Sequence, residues 1–416
     1  MPFEAPRAAV VLSGNELLDG RTRDTNGDFV CDDLSRRGVK VLMRLTVADD
    51  RRRLTAAFRH ALEAEPDLLV VGGGLGTTHD DLTAECLAEA LGVGLAEDQT
   101  ALEHLEKGVR ALAARRRLDF DEVFALARRQ ARLPVGSDAL PPAGIAPGIA
   151  ARTGRTRVFA YPGVPYEFRT MWTGTAAALE RERFFPDVVV RTVRVFGVGE
   201  QQVAPVIEAL PYDLLEMGIN VGGGEVTVRL RHPRAPGPQS QADALVAALE
   251  AGAPVYSTDG RTVDDIVADR LRGGGTTLAV AESCTGGSLG GRLTARPGSS
   301  RYFEGGVISY SDQAKRDLLG VPSELLSRYG AVSGEVAGAM AEGVRKALHT
   351  EFGLSITGVA GPDGGTPAKP VGLVYLGCAG PDGTRVRRSE FYGDRETVRA
   401  FAATGALHLL REALTR

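Results

Sequence analysis

Cysteine is scarce in this 416-residue chain: Cys31, Cys86, Cys284 and Cys378 stand far apart and form no C-x-x-C pair. That spacing excludes a zinc ribbon and a disulfide framework, and it fits a reducing compartment. No run of about 18 uninterrupted apolar residues occurs, and MPFEAPRAAVVLSGNELL lacks the basic segment and long apolar core of an export signal. The expectation is a soluble, cytoplasmic protein without a membrane partner. Nor is there an excess of positive charge. Lys plus Arg number 49 against 53 Asp plus Glu, a net charge of −4, so no global field attracts phosphate backbones and direct nucleic-acid binding is not expected. The six histidines, His60, His79, His104, His232, His349 and His408, pair with no nucleophile in the sequence, which argues against a Ser-His-Asp triad. Internal repeats and low-complexity segments are absent.

What is present describes a globular α/β protein: 43% hydrophobic residues, 25% charged residues and 52 glycines. The length exceeds one ordinary core, and the texture divides it into three parts. Residues 1–175 alternate short apolar runs (AAVVLSG, VKVLMRLTV, DLLVVGGG) with helical stretches, as in a mostly parallel, three-layer sheet domain. The stretch from Glu97 to Arg132 reads as a helical excursion and PVGSDALPPAGIAPGIA as a long irregular loop. Residues 176–257 read as a small α+β module bounded by FFPD and STDGRT. Residues 258–416 read as a complete α/β domain ending in a helix from Glu396 to Leu414.

Three glycine-bearing loops follow apolar strands in the last part: ESCTGGSLGG (282–291), SYSDQAK (309–315) and TGVAGPDGGT (357–366). In open α/β sheets ligands bind beyond the carboxyl ends of the strands, so the loops should converge on one pocket. Ser283 sits where a strand hands over to a helix, and Gly286 and Gly287 are expected to leave backbone amides open for an anion or an oxyanion. The plainer alternative makes Ser283 or Thr285 a helix N-cap. Tyr310 ends the next strand and Lys315 follows within the first turns of a helix that Ser311 or Asp312 can cap. A partly desolvated lysine beside a hydroxyl loses basicity and can accept the serine proton, while a tyrosine can relay a proton or steady the leaving group. A dehydrogenase reading of Tyr310 and Lys315 fails, because their spacing suits no single helical face and no G-x-G-x-x-G follows the first strand.

AESCTGG, LTARPGSSRYFEGGVISYSDQAKRDLLGV, GAVSGEVAGAMAEG and SITGVAGPDGGTPAKPVG together resemble the C-terminal domain of the CinA (competence/damage-inducible) family, the nicotinamide mononucleotide deamidases. The resemblance implies hydrolysis of nicotinamide mononucleotide to nicotinate mononucleotide and ammonia, without a cofactor. Ser283, Tyr310 and Lys315 match the family's catalytic serine, tyrosine and lysine. It further implies substrate contacts from Thr285, Gly286, Gly287, Ser299, Ser300, Thr357, Gly358 and Gly361. Arg399 or Arg395 would add a phosphate contact, a helix-surface role being the alternative for each.

SGNELLDG, RDTN, GGGLGTTHDDLT and PGVPYEFRTMW resemble the family's N-terminal domain, which is related to the molybdopterin-binding fold. A glycine-rich turn after a strand can wrap a pyrophosphate with backbone amides, and Asp80 with Asp81 can bring a divalent metal to it. Glu16, Asn26, Gly73, Gly74 and Gly76 would line that site. Glycines for a tight turn and acids capping the next helix are the alternative reading. The resemblance implies an ADP-ribose pyrophosphatase using a divalent metal, alone or with K+, in a homodimer. The chain departs from the family pattern in GGGLGTT around Thr77, where TGGLGPT is usual, and in the later loop at Pro142 and Gly144–Gly148 (GIAPG). These departures motivate a second reading, a deamidase whose N-terminal domain only binds a nucleotide. A competence or recombination accessory protein and a molybdenum-cofactor adenylyl transferase are the further alternatives.

Overall fold

The computed structural model describes residues 5–415. Its first sheet contains β1 (Arg7–Ser13), β2 (Lys40–Val47), β3 (Leu68–Gly72), β6 (Asp138–Leu140), β7 (Gly148–Thr153) and β8 (Thr156–Tyr161), in the order β2-β1-β3-β8-β7-β6. The first four run parallel, and β7 and β6 complete the sheet antiparallel. β4 (Leu95–Glu97) and β5 (Arg132–Pro134) form a separate antiparallel ribbon. Helices α1 (Asn15–Leu18), α2 (Thr25–Arg36), α3 (Arg51–Glu63), α4 (Thr83–Leu91), α5 (Gln99–Arg116), α6 (Phe120–Ala127) and α7 (Pro165–Arg181) surround it. The runs AAVVL and LLVV are continuous because both faces of the sheet are covered. Ala9, Val11, Leu69 and Val71 join one core with Leu54, Phe58 and Leu105, while Ala8, Val10, Leu68 and Val70 join another with Phe168 and Trp172. This is the expected three-layer domain.

Two details differ from the sequence reading. A boundary at residue 175 falls inside α7, which continues to Arg181. The stretch read as a long irregular loop contains the edge strand β6 and leads into β7, whose alternation is too short to register as a strand.

The second sheet has the order β10-β11-β9-β12, with β9 (Val188–Phe196), β10 (Glu216–Gly222), β11 (Glu225–Pro233) and β12 (Val255–Ser257), and carries α8 (Glu200–Glu208) and α9 (Pro236–Gly252). By tertiary contacts the chain forms two compact units. One is the stretch up to Val190 with Arg231–Gln239, and the other is Arg191–Leu230 with Ser240 onward. Most of the small module therefore belongs to the C-terminal unit. His408, fully buried, shows how: its Nε2 meets Glu225 Oε1 of β11 at 2.9 Å and its ring stacks on Phe196 of β9 with centroids 3.7 Å apart.

The third sheet has the order β14-β13-β15-β16-β17: β13 (Leu278–Glu282), β14 (Phe303–Ile308), β15 (Phe352–Gly358), β16 (Leu373–Gly380) and β17 (Gly383–Glu390). β14, β13 and β15 are parallel, and β16 and β17 return antiparallel. Around it lie α10 (Val263–Gly274), α11 (Ser288–Thr294), α12 (Asp312–Leu319), α13 (Ser323–Tyr329), α14 (Gly334–Ala347) and α15 (Arg395–Ala413). Leu278 and Val280 face a core with Leu407 and Leu410, while Ala279 and Ala281 face Met340 and Val344. Among the described residues no helix is long and apolar enough to cross a membrane.

Candidate functional site

The parallel register brings the carboxyl ends of β13, β14 and β15 to one edge, and the Ser283 backbone amide is tied to the Ile356 carbonyl at 3.0 Å. Ser311 caps α12 by accepting from the Ala314 amide at 3.0 Å, which sets the helix so that Lys315 points inward. Lys315 is only 1% exposed. Its Nζ donates to Ser283 Oγ at 3.2 Å, to the Ser309 carbonyl at 2.9 Å and to the Tyr310 carbonyl at 3.2 Å. Burial pulls the amine below its ordinary basicity, with the nearby Asp312 charge working against that. As a neutral amine it would keep an N–H on each carbonyl and turn its lone pair to the Ser283 hydroxyl.

Tyr310 takes a different position from its two companions. Its side chain is 61% exposed, and its hydroxyl accepts from Arg395 Nη2 at 3.1 Å. Arg395 Nη1 also donates to the Gly361 carbonyl at 2.7 Å, and Arg399 donates to the Thr285 carbonyl at 2.8 Å. Two guanidiniums from α15 therefore stand beside the serine turn, held by backbone carbonyls rather than by carboxylates.

The turn itself corrects one expectation. The Gly286 amide donates to the Ser283 carbonyl at 3.1 Å, and the Gly287 amide donates to Glu282 Oε2 at 3.0 Å. Neither is open. Glu282, 2% exposed, also accepts from the amides of Leu289 at 3.1 Å and Gly290 at 2.8 Å, so an internal carboxylate fills the start of α11. Among the described residues the amides without an acceptor in this turn are those of Cys284 and Thr285. Glu282 escapes sequence reading because a glutamate closing an apolar strand ordinarily reads as the first exposed residue of the loop.

Ser299 and Ser300 are not at this site. They precede Phe303, which pairs with Leu278 at the opposite end of β13, roughly 13 Å of strand away from Glu282. Thr357 is close to Ser283 but its hydroxyl donates to the Ala331 carbonyl at 2.8 Å. Gly358 is paired within the sheet, opposite Val374, and Gly361 offers its carbonyl to Arg395.

In the N-terminal unit the loop after β3 opens on a cavity of about 620 Å³ lined by Ser13, Glu16, Asp49, Gly73, Gly74, Gly76, Asp80 and Asp81, among others. Gly73 and Gly74 have φ of +100° and +64°, and a Cβ at Gly73 would meet the Ser13 carbonyl at 2.5 Å. The Gly73 amide is bound to the Tyr161 carbonyl, but among the described residues the amides of Gly74, Leu75, Gly76 and Thr77 have no acceptor. That run is a concavity suited to an anion. Asn26 stands beside it, its Nδ2 donating to the Gly163 carbonyl at 2.8 Å.

Asp80 and Asp81 behave unlike each other. Asp81 Oδ2 accepts from Thr78 N at 2.8 Å and Thr78 Oγ1 at 2.6 Å, closing the loop on itself, whereas Asp80 is exposed. Sequence reading missed Asp49 and Glu167. Burial pushes the Asp49 carboxyl up, and the charges of Glu16 and Asp80 add to that against the Asn15 amide and the Ser13 hydroxyl. Burial also pushes Glu167 up. Neither lies in a recognisable motif. Among the described residues no three carboxylate, imidazole or thiol groups converge as metal ligands. Asp80 and Asp81 line the cavity together with Glu16 and Asp49.

Two α/β domains, each with its site beyond the carboxyl ends of parallel strands, define the class of the chain: a molybdopterin-binding-type domain followed by a second, distinct α/β domain. Residues 9–181 match the probable molybdopterin binding domain family, and residues 260–414 match the CinA C-terminal domain family. The chain belongs to the CinA family. It is 41% identical over 411 residues to a CinA-like protein of Citrifermentans bemidjiense, covering 98% of this chain and 97% of that one. It is 38% identical over 423 residues to a putative competence-damage inducible protein of Desulforudis audaxviator, covering 99% of each. A solved structure, the competence/damage inducible protein CihA of Agrobacterium tumefaciens, is 35% identical and covers 39% of this chain and 100% of its own, with a TM-score of 0.36.

Proposed function

We propose that the C-terminal site hydrolyses the carboxamide of nicotinamide mononucleotide, releasing ammonia. The observation that carries this is the buried Lys315 amine, held by two carbonyls with Ser283 Oγ at 3.2 Å. In the neutral form it takes the hydroxyl proton as Ser283 Oγ bonds to the carboxamide carbon. The carbonyl oxygen becomes an oxyanion, which the amides of Cys284 and Thr285, without a backbone acceptor among the described residues, would receive. Collapse breaks the C–N bond, Lys315 returns its proton to the departing nitrogen, and an ester on Ser283 remains. Water adds to that ester, its proton passing through Lys315 to the serine oxygen, and nicotinate mononucleotide leaves. Arg395 and Arg399 offer the positive charge that a nucleotide phosphate requires, with Tyr310 steadying Arg395. Ammonia release by the wild type and by folded Ser283→Ala tests the reading. A wild type that releases none, or an active Ser283→Ala, overturns it.

For the N-terminal domain the open amides of residues 74–77 support binding of a pyrophosphate-bearing nucleotide such as ADP-ribose. Asp80 and Asp81, which line the same cavity, would hold a divalent metal against the bound phosphates. Calorimetric titration of ADP-ribose with and without Mg2+ tests this second reading. Absence of binding under both conditions overturns it.

A further inference from the structure

The helical excursion formed by α5 and α6 ends in a 3-10 turn, Arg128–Ala131, whose side chains turn back on the loop after β3. Gln130 Nε2 donates to the Leu75 carbonyl at 2.7 Å. Arg129 donates through Nη1 to the Thr78 carbonyl at 2.6 Å and the Thr77 carbonyl at 3.5 Å, and through Nη2 to the Asp81 carbonyl at 3.2 Å. We infer that Gln130 and Arg129 are positioning residues, which fix the peptide planes of this loop so that its free amides face an anionic ligand, acting through the loop backbone rather than on the ligand. The inference rests on the N-terminal nucleotide reading and adds the side chains that hold its cradle in the binding form.

Peptide geometry makes the link. In a trans peptide the carbonyl oxygen and the following N–H lie in one plane and point in opposite directions. A donor fixed on the Leu75 carbonyl therefore also fixes the Gly76 N–H, which is aimed away from Gln130 and has no acceptor among the described residues. The peptide between Thr77 and Thr78 is held from both sides. Its carbonyl faces Arg129, and its N–H meets Asp81 Oδ2 at 2.8 Å. Gly74 and Gly76 cannot supply this order themselves, because glycine has the widest choice of φ and ψ. The Leu75 side chain packs into one core with Val109, Ala127 and Ala131, so the end of the excursion holds both the side chain and the carbonyl of that residue.

Gln130 is also a poor choice for folding alone. Its Oε1 is buried and has no donor among the described residues. An unpaired buried acceptor lowers stability, so an apolar side chain of the same length would serve the fold as well or better. What the amide alone supplies is the N–H on the Leu75 carbonyl.

The test measures two quantities on the full chain: the thermal unfolding midpoint and the affinity for methylenebisphosphonate, a pyrophosphate analogue whose bridge resists hydrolysis. Gln130→Met keeps the length and removes both the N–H and the unpaired acceptor. We expect about tenfold weaker affinity, because one hydrogen bond less leaves a smaller fraction of the loop in the binding form, with the midpoint unchanged to within about 2 °C. Gln130→Glu adds a pH signature. Its carboxylate repels the Leu75 carbonyl, whereas the protonated acid donates an O–H to it in place of the amide. The ratio of wild-type to Gln130→Glu affinity should therefore narrow from about tenfold near pH 8 to about twofold near pH 5, a recovery that a merely structural role would not give. Arg129→Lys keeps the charge but cannot span three carbonyls, and about a fivefold loss is expected. Wild-type affinity in Gln130→Met, a lowered midpoint in that variant, or a Gln130→Glu ratio that does not change with pH overturns the inference while leaving nucleotide binding standing. A wild type that does not bind methylenebisphosphonate overturns the nucleotide reading and the inference with it.

Discussion

The chain contains two glycine-rich turns that look alike on paper and differ in what fills them. Each follows a buried parallel strand, and each has two left-handed glycines: Gly73 and Gly74 at +100° and +64°, Gly286 and Gly287 at +59° and +97°. After β3 the strand ends in glycine, and among the described residues no acceptor reaches four of the loop amides in a row. After β13 the strand ends in Glu282, whose carboxylate accepts three amides of the following turn and helix. The first turn is shaped to receive an anion from outside, and the second carries its anion within. A glycine-rich turn after a strand thus becomes a ligand cradle only when no neighbouring side chain satisfies it first. In the second turn the two amides that remain, those of Cys284 and Thr285, adjoin Ser283, the proposed nucleophile, where an oxyanion would form.

The largest effect should come from the residues that set the second turn apart. Ser283→Ala and Lys315→Ala are each expected to lower ammonia release from nicotinamide mononucleotide by about a thousandfold or more, since a nucleophile and its base act as one unit. The double variant should be little worse than either alone. Additive losses in the double variant would show that Lys315 does not act through Ser283.

Next in size is the response to pH. The chemistry needs Lys315 neutral, and burial lowers its pKa from the ordinary 10.5. Below the folded-state value, kcat/KM should fall by a factor of about ten per pH unit, and it should level off at a pH below 10.5. The same depressed value means that this group's contribution to stability is present above 10.5 and is lost as pH falls through the folded value. A profile with no acid-side fall at any pH at which the protein stays folded would remove Lys315 from the role of base.

Glu282 itself offers a direct way to break the comparison. In Glu282→Gln one end of the side chain becomes an NH2 group facing amide N–H donors, so at least one of the three bonds to Gly287, Leu289 and Gly290 is lost and donor faces donor. The cost should be about 2 to 4 kcal/mol, read as a lowered denaturant midpoint of the C-terminal unit. An unchanged midpoint would mean that the turn keeps its form without the carboxylate.

How much of this was legible beforehand depended on whether a residue's neighbours are local. The three-layer N-terminal domain followed from runs such as AAVVL and LLVV, where burial on both faces is written in consecutive residues. Ser283 with Lys315 was readable as a pair through the motif, and the cap at Ser311 predicted the helix that delivers the lysine. What was not readable depends on distant contacts. Asp49 becomes part of the cavity only because β2 pairs with β1, and Ser299 and Ser300 leave the site because β14 runs parallel to β13 and begins at its far end. Asp80 and Asp81, adjacent and chemically identical in the sequence, part ways because Asp81 turns back to accept from the Thr78 amide and hydroxyl while Asp80 stays exposed.

The smallest expected effect tests whether the first turn is as independent of the second as the comparison holds. A Cβ at Gly76 would stand 2.5 Å from Asp81 Oδ2, the atom that accepts both Thr78 bonds. Gly76→Ala must therefore displace Asp81, loosen the Thr78 turn and misalign the amides of residues 74–77. Affinity for methylenebisphosphonate should fall about tenfold, while ammonia release from nicotinamide mononucleotide is unchanged. Asp81→Ala should lower that affinity similarly, because it removes the same tether, and Gly76→Ala with Asp81→Ala should be no worse than either. If the double variant is additive, Asp81 acts on the ligand directly rather than by holding the loop. If Gly76→Ala also lowers ammonia release, the two turns are coupled, and the separation between an external and an internal anion no longer describes two independent sites.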